Sequence, residues 1–322
     1  MPGNDVSEGP IRILASACLL GEKVRYDGGH KRDPFLVETL GRFVDFIPVC
    51  PEVECGLPVP REAMRLAGDA ANPRLIAPKS GTDHTSRMHG WIQEKLRELE
   101  ELDLSGYLCK KDSPSSGMRR VKVYPDHGTP ARIGSGLFTR AFMTRYPLVP
   151  VEEEGRLHDP VLREMFVERV FTLRRLRNTI RRGKTRGGLV SFHTDHKLLI
   201  LAHGRSGYAA MGSLVARSRE YPLDELYRRY LRLLMESLAL RPTPGKCADV
   251  LMHMMGHLRT FLTPDEKREL LERIGSYRAR RIPLVVPVTL LRHFVRKYDV
   301  AYLARQAFLN PHPVQLMLRN HV

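Results

Sequence analysis

The sequence predicts an α/β domain with a Rossmann-like parallel sheet, followed by an all-α domain. Three observations carry this. Short apolar, β-rich runs alternate with helix-like segments through the first half. The second half shows helical periodicity only, and the basic excess is concentrated there.

Taken in order, the predicted strands are Ile11–Ala17, Phe43–Val49, Gly106–Cys109 and Leu148–Val151. The helix-like stretches between them are Pro34–Arg42, Thr85–Leu102 and Gly136–Tyr146. In Thr85–Leu102 an apolar face runs through Met88, Ile92, Leu96 and Leu99, with Glu and Lys opposite. Strands alternating with helices imply parallel pairing, which puts the working loops at the C-terminal strand ends. The stretch PLVPVEEEGRLHDP breaks the pattern and divides the chain into domains 1–152 and 153–322. Helices are then expected at Leu162–Arg182, His193–His203, Leu223–Leu240, Cys247–Leu262, Pro264–Arg280, Pro287–Tyr298 and Val300–Leu309, with Gly183–Gly188 as a flexible basic connector.

With 322 residues, each half can bury a core of its own. No stretch approaches the roughly 20 apolar residues that span a bilayer. The start, MPGNDVSEGP, has neither the basic opening nor the apolar centre of a signal peptide. Five cysteines are too few, and odd in number, for a disulfide framework. The expectation is a cytoplasmic protein with reduced thiols, no membrane partner and no obligate protein partner.

Through Pro150 there are 21 basic and 19 acidic residues; beyond it there are 31 and 17, so +14 of the net +16 lies in the second half. Of those 31 basic residues, 26 are Arg, whose fork matches phosphate bidentately. An RNA partner is expected, with Arg174, Arg175, Arg181 and Arg182 on the long Arg-dense helix as contacts. If about six arginines neutralise phosphates, affinity should fall with salt with a log–log slope of order −4 to −5. His253 and His257 form an i, i+4 pair. No glutamate completes an H-E-x-x-H word there, so core or RNA-facing histidines are the better reading.

Four of the five cysteines, Cys18, Cys50, Cys55 and Cys109, sit at or just past predicted strand ends. Thiols gathered on one rim of a sheet point to a soft-metal or iron–sulfur site. In SACLLGEKVRYDGGH, Arg25, Tyr26 and Asp27 offer a cation, a stacking ring and a carboxylate. VCPEVECGLPVPRE sets Cys50 and Glu52 at a second strand end, with Cys55 at a C-x4-C spacing. In GYLCKKDSPSSGMRRVKVY the hydroxyls of Ser113, Ser115 and Ser116 could cradle a phosphate or orient a base.

SACLLG…RYDGG, CPE…GLP.PRE and SPS.GM..VKVY resemble the TudS family of thiouracil desulfidases. FHTDHKLLILAH, YRARRIPLVVPVTLLRHF and the closing LMLRN are similar to the YbgA-like helical domain. The fusion resembles RudS-type proteins and covers nearly the whole chain, from Ile11 to Asn320.

The resemblance implies a 4Fe–4S cluster on three cysteines with one iron open, and conversion of 4-thiouridine in tRNA to uridine with release of hydrosulfide. It is a hydrolysis of C=S and needs no electron carrier. By motif position Cys18 and Cys50 are ligands. Glu52 activates water, helped by a pKa that an apolar neighbourhood can raise, and Ser113 hydrogen-bonds substrate or water. The sequence departs from the family at Ser116, which stands where SPSCG has its cysteine, so either Cys109 or Cys55 is needed as third ligand. Two other readings stay open: a desulfidase of free thiouracil or 4-thiouridine monophosphate, and a non-catalytic RNA-binding cluster protein.

Overall fold

The computed structural model describes residues 9–321, so the first eight residues of the amino-terminal stretch weighed above as a signal peptide lie outside the described residues. The chain separates into two compact units, Met1–Leu162 and Arg163–Val322.

In the first unit β1 (Arg12–Ser16) runs into α1 (Ala17–Leu20), a single turn closed by Gly21 at φ 105°, a left-handed geometry that suits glycine. Pro34–Arg42 is not an α-helix. It is a π-helical turn, Phe35–Thr39, tightening into a 3-10 turn, Leu40–Arg42, which turns both Leu36 and Leu40 inward. After it come β2 (Asp45–Val49), α2 (Pro51–Glu54), β3 (Arg65–Ala67), β4 (Arg74–Ile76), α3 (Thr85–Glu98) and β5 (Gly106–Cys109). The unit continues with β6 (Val121–Tyr124), β7 (Ala131–Gly134), α4 (Leu137–Arg145) and β8 (Val151–Glu153).

One sheet has the order β2-β1-β5-β8 and is parallel throughout. Its central strands are apolar on both faces, as strands covered on two sides must be: Ile13, Leu14 and Ala15 of β1 and all of β5 are buried. The order reverses between β1 and β5, so the loops after these strands part and leave a crevice at their C-terminal ends.

A second sheet, β4-β3-β6-β7, was not expected from the sequence. It mixes one parallel pair, β3 with β6, with antiparallel pairs on either side. Its strands are three or four residues long and alternate buried Leu66, Leu75, Val121 and Val123 with Arg65, Arg74 and Lys122. Such runs are too short for a clear period-2 signal. Between the sheets and helices, Tyr107 packs on Phe138 and Phe142 at centroid distances of 5.7 and 5.0 Å.

The second unit is helical. α5 (Pro160–Arg181) leads into α6 (Arg186–His203), α7 (Arg205–Ala216), α8 (Leu223–Leu238), α9 (Pro244–Leu258), α10 (Pro264–Arg278), α11 (Val285–Lys297) and the short α12 (Ala301–Ala304). Much of the stretch read as a flexible connector is ordered, because Thr185 caps α6 by accepting 2.9 Å from Gly188 N. α7 was missed. Gly204, Gly207 and Gly212 lower its helix propensity, and packing supplies what propensity does not.

Candidate active site

A cavity of about 350 Å³ opens at the C-terminal ends of β1, β2 and β5. Three loops line it: Ser16–Cys18 with Val24–Tyr26, Val49–Glu52, and Lys110–Ser116. The parallel sheet delivers all three to one rim, as the strand-end positions of the cysteines predict.

Two thiols face this space. Burial pushes the Cys18 thiol up to about 11, helped by the nearby Cys50. Burial also raises Cys50, whose Sγ sits 3.8 Å from Val24 O. Two desolvated thiols beside one another are poorly served as free anions, and a soft cation would relieve both.

The other two candidates stand elsewhere. Cys55 does not line the cavity, and its Sγ donates 3.3 Å to Glu52 O. Cys109 is 0 % exposed, bonded through Sγ to Glu152 O at 3.4 Å and raised strongly by burial. Its side chain falls on the inner face of β5, one residue before the rim. The expectation that one of them supplies a third ligand is therefore corrected. Among the described residues no group of three His, Cys, Asp or Glu side chains is arranged around a metal. Ser116, 3 % exposed, lines the cavity with Cys18 and Cys50. The cavity's donors fit a soft-metal centre through two thiols, Cys18 and Cys50.

Opposite the thiols lies a chain of polar bonds. Glu52 Oε1 accepts 2.8 Å from Ser115 Oγ, and its other oxygen is ion-paired with Arg61, the partners being 15 % and 5 % exposed. The apolar setting expected for Glu52 is thus replaced by a guanidinium and a hydroxyl. Ser113 Oγ lies 3.0 Å from Ser115 Oγ and accepts from Ser115 N and Ser116 N at 3.3 and 3.1 Å. Backbone pairing fixes this loop from behind: Gly136 N donates to Gly117 O at 2.7 Å and Phe138 N to Ser115 O at 2.9 Å. These are amides at the start of α4, otherwise without helical partners. A Cβ on Gly136 would come within 2.5 Å of Ser115 C, so only glycine permits this approach.

Cations complete the rim. Arg25, Lys31, Arg61, Lys110 and Lys111 line the cavity, against Glu52 and Asp112. Tyr26, 44 % exposed, lies beside Arg25, whose Cζ is 5.4 Å from the ring centroid. Asp27 is outside the cavity. It bonds Arg25 at 3.3 Å and accepts from Gly29 N at 3.0 Å, so it shapes the loop instead of meeting a ligand. The sequence reading missed Lys31, Lys110, Lys111 and Arg61. The signal for Arg61 was its place in the PRE word, and its N donates 2.8 Å to Tyr26 O, tying two rim loops together.

In the helical unit the predicted RNA contacts divide. Arg174 is 7 % exposed, and Arg175 Nη2 donates to Asn310 O and Pro311 O at 3.1 and 2.7 Å. Both are interior residues of α5 and are corrected as RNA contacts. Helical packing takes Arg174, and the Arg175 side chain serves backbone carbonyls. Arg181 and Arg182 are exposed near the end of the helix, with Arg181 donating 2.9 Å to Asn178 Oδ1. His193 contacts Tyr230 Oη at 3.2 Å, and His203 meets Glu168 at 2.5 Å, so both are core residues.

Comparison with known proteins adds a lineage. The sequence model of the 2-thiouracil desulfurase family matches residues 13–154, and that of a family of unknown function, DUF1722, matches residues 197–313. YbgA of Escherichia coli K12, an uncharacterized protein, is 31 % identical over 153 residues, which is 47 % of this chain and 90 % of that protein. YbbK of Bacillus subtilis 168, also uncharacterized, is 31 % identical over 113 residues, 33 % of this chain and 72 % of that protein. A solved structure titled [4Fe-4S]-dependent thiouracil desulfidase TudS is 30 % identical, with a TM-score of 0.38 over 46 % of this chain and 94 % of that one. The chain belongs to the family of its relatives YbgA and YbbK, of whose lengths it covers 90 % and 72 %, with the 2-thiouracil desulfurase model matching its α/β part and the DUF1722 model its helical part.

Proposed function

We propose that the protein is a desulfidase that converts 4-thiouridine in tRNA to uridine, releasing hydrosulfide. The observation that carries this is one cavity lined both by the buried Cys18 and half-buried Cys50 thiols and by the Arg61–Glu52–Ser115–Ser113 chain. The balance is hydrolytic: water supplies the new C=O oxygen, the carbon–sulfur bond breaks, and sulfur leaves as hydrosulfide.

Cys18 and Cys50 would hold a 4Fe–4S cluster, which when bound supplies a soft Lewis acid suited to thiocarbonyl sulfur. The chain's own groups do the proton work. Glu52, held by Ser115 on one oxygen and Arg61 on the other, lines the cavity and would act as the base for water. Ser113 and Ser115 keep that carboxylate in register and offer hydroxyls to the pyrimidine. Arg25, Lys31 and Lys110 set positive charge at the rim where a nucleotide phosphate would lie.

The cavity volume is that of one nucleotide, which also favours a second substrate, free 4-thiouridine monophosphate. The Arg excess of the helical half supports tRNA over it. The test is anaerobic: reconstitute iron and sulfide, add tRNA carrying 4-thiouridine or the free nucleotide, and follow the thiocarbonyl absorbance with hydrosulfide release. Loss of the band on tRNA supports the reading. An intact band on both, with a loaded cluster, overturns it in favour of a binding protein, for which oxygen at Ser116 would be the structural reason.

A further inference from the structure

A second cavity, of about 480 Å³, lies in the helical unit between α7 and α8. Arg217, Arg228, Arg229 and Arg232 line it with one carboxylate, Glu225, an excess of three positive charges. Glu225 is already taken: Arg229 bonds it through Nε at 2.8 Å and stacks over the Tyr221 ring with Cζ 4.7 Å from the centroid. Arg217 is held only loosely, 3.9 Å from Glu220. Arg228 and Arg232 are exposed, share one helix face at i, i+4, and make no hydrogen bond or ion pair to the described residues.

Like charges gathered in a concave site cost free energy until an anion enters, and the guanidinium fork matches phosphate oxygens. The site is also braced. Arg186 donates from Nε to Ser218 O at 3.1 Å and from Nη2 to Tyr221 O at 3.0 Å, fixing the α7–α8 connection that carries the ring. Leu214 and Leu233 give the cavity an apolar wall. Charge on one side, with a fixed aromatic ring and an apolar wall beside it, matches a phosphate with its neighbouring base.

We propose that this cavity binds a phosphodiester and adjoining base of an RNA strand. It rests on the tRNA reading above and gives that reading a location in the helical unit, in place of Arg174 and Arg175. An acidic peptide would use the charge but not the ring.

The test uses the full chain and an unmodified tRNA transcript, which contains no thiocarbonyl, so binding is read apart from chemistry. Fluorescence anisotropy is followed across salt for wild type, for R228E/R232E, and for the charge-matched R292E/R296E, whose residues are exposed on α11 outside the cavity. The cavity variant is expected to weaken binding about tenfold or more and to lower the salt slope by about 2, the control by about threefold or less. Tyr221→Ala should weaken binding and Tyr221→Phe should not. Equal losses in the two double variants, no loss in either, or displacement of tRNA by polyglutamate as effective as by RNA would overturn the proposal. Uridine 5′-monophosphate displacing tRNA at micromolar concentration would identify a free-nucleotide site instead and overturn the RNA assignment. Desulfidation of free 4-thiouridine monophosphate separates the two readings. Turnover of the free nucleotide with no tRNA binding sinks this site and the tRNA substrate but leaves the desulfidase chemistry, whereas tRNA bound here without turnover sinks the desulfidase alone.

Discussion

Ser115 Oγ and Glu52 Oε1 are 2.8 Å apart although 63 residues separate them in the chain, and this bond joins the loop after β5 to α2, the turn of helix that follows β2. With Arg61 on the other oxygen, it leaves the carboxylate a single orientation. Removing the hydroxyl in Ser115→Ala should lower kcat about 10-fold to 100-fold with KM little changed. Glu52→Gln should cost about 100-fold or more, the scale of a general base. Steady-state desulfidation, with circular dichroism to check folding, decides both.

Cys18→Ala and Cys50→Ala should each lose most of the iron and acid-labile sulfide per chain after anaerobic reconstitution. Cys55→Ser and Cys109→Ala should keep it, Cys109→Ala at a stability cost of about 1 kcal/mol from its buried position. Ser116→Cys should raise cluster content, because thiolate binds iron better than a hydroxyl. Iron loss in Cys55→Ser or Cys109→Ala would mean that the thiol reaches the site after all.

Gly136→Ala should injure the site from outside it. The added Cβ would strike Ser115 C at 2.5 Å and Ser116 N at 2.6 Å, both backbone atoms that cannot swing aside. The expected result is a Tm lower by several degrees, from about 1–3 kcal/mol of overpacking, and a kcat/KM that falls further than stability explains. Thermal melts beside kinetics of the residual folded protein measure both.

How much of this was legible in the sequence differs by element. The parallel sheet was, since β1, β2 and β5 are apolar runs with helical segments between them, although β8 (Val151–Glu153) meets the expected run Leu148–Val151 only at Val151; of the three cysteines expected to converge at strand ends, Cys18 and Cys50 line the cavity and Cys109 does not. The second sheet was not, because its strands alternate over only three or four residues. The failure at Cys109 is geometric. A residue that ends a strand points to one face or the other, and the apolar run GYLC does not say which. Arg174 and Arg175 failed for a related reason: an Arg-rich helix has a buried face, and charge alone does not mark it.

The helical unit should lose stability in mild acid. Burial lowers His196 to about 3, with Arg175 adding to the effect, and burial lowers His193 to about 4, with Lys197 adding. In the unfolded chain both rings titrate near 6.5. Below that pH the unfolded state takes up protons that the folded state refuses, so stability falls as pH drops from about 6.5 toward 4 and 3. The slope approaches about 1.4 kcal/mol per pH unit for a fully buried ring such as His196. Urea melts across this range should show the decline, and His196→Gln should flatten it.

The Ser113–Gly117 loop is held by strands of two different sheets, β5 before it and β6 after it, and by the first amides of α4 along its length. A segment anchored at both ends and along its side has little configurational freedom left to surrender when a ligand arrives. Its amides should therefore exchange with deuterium slowly in the empty protein and no more slowly with nucleotide present. Recognition at this loop would then be that of a rigid template, and discrimination between thiolated and plain pyrimidine would fall to the sulfur-facing wall formed by Cys18 and Cys50.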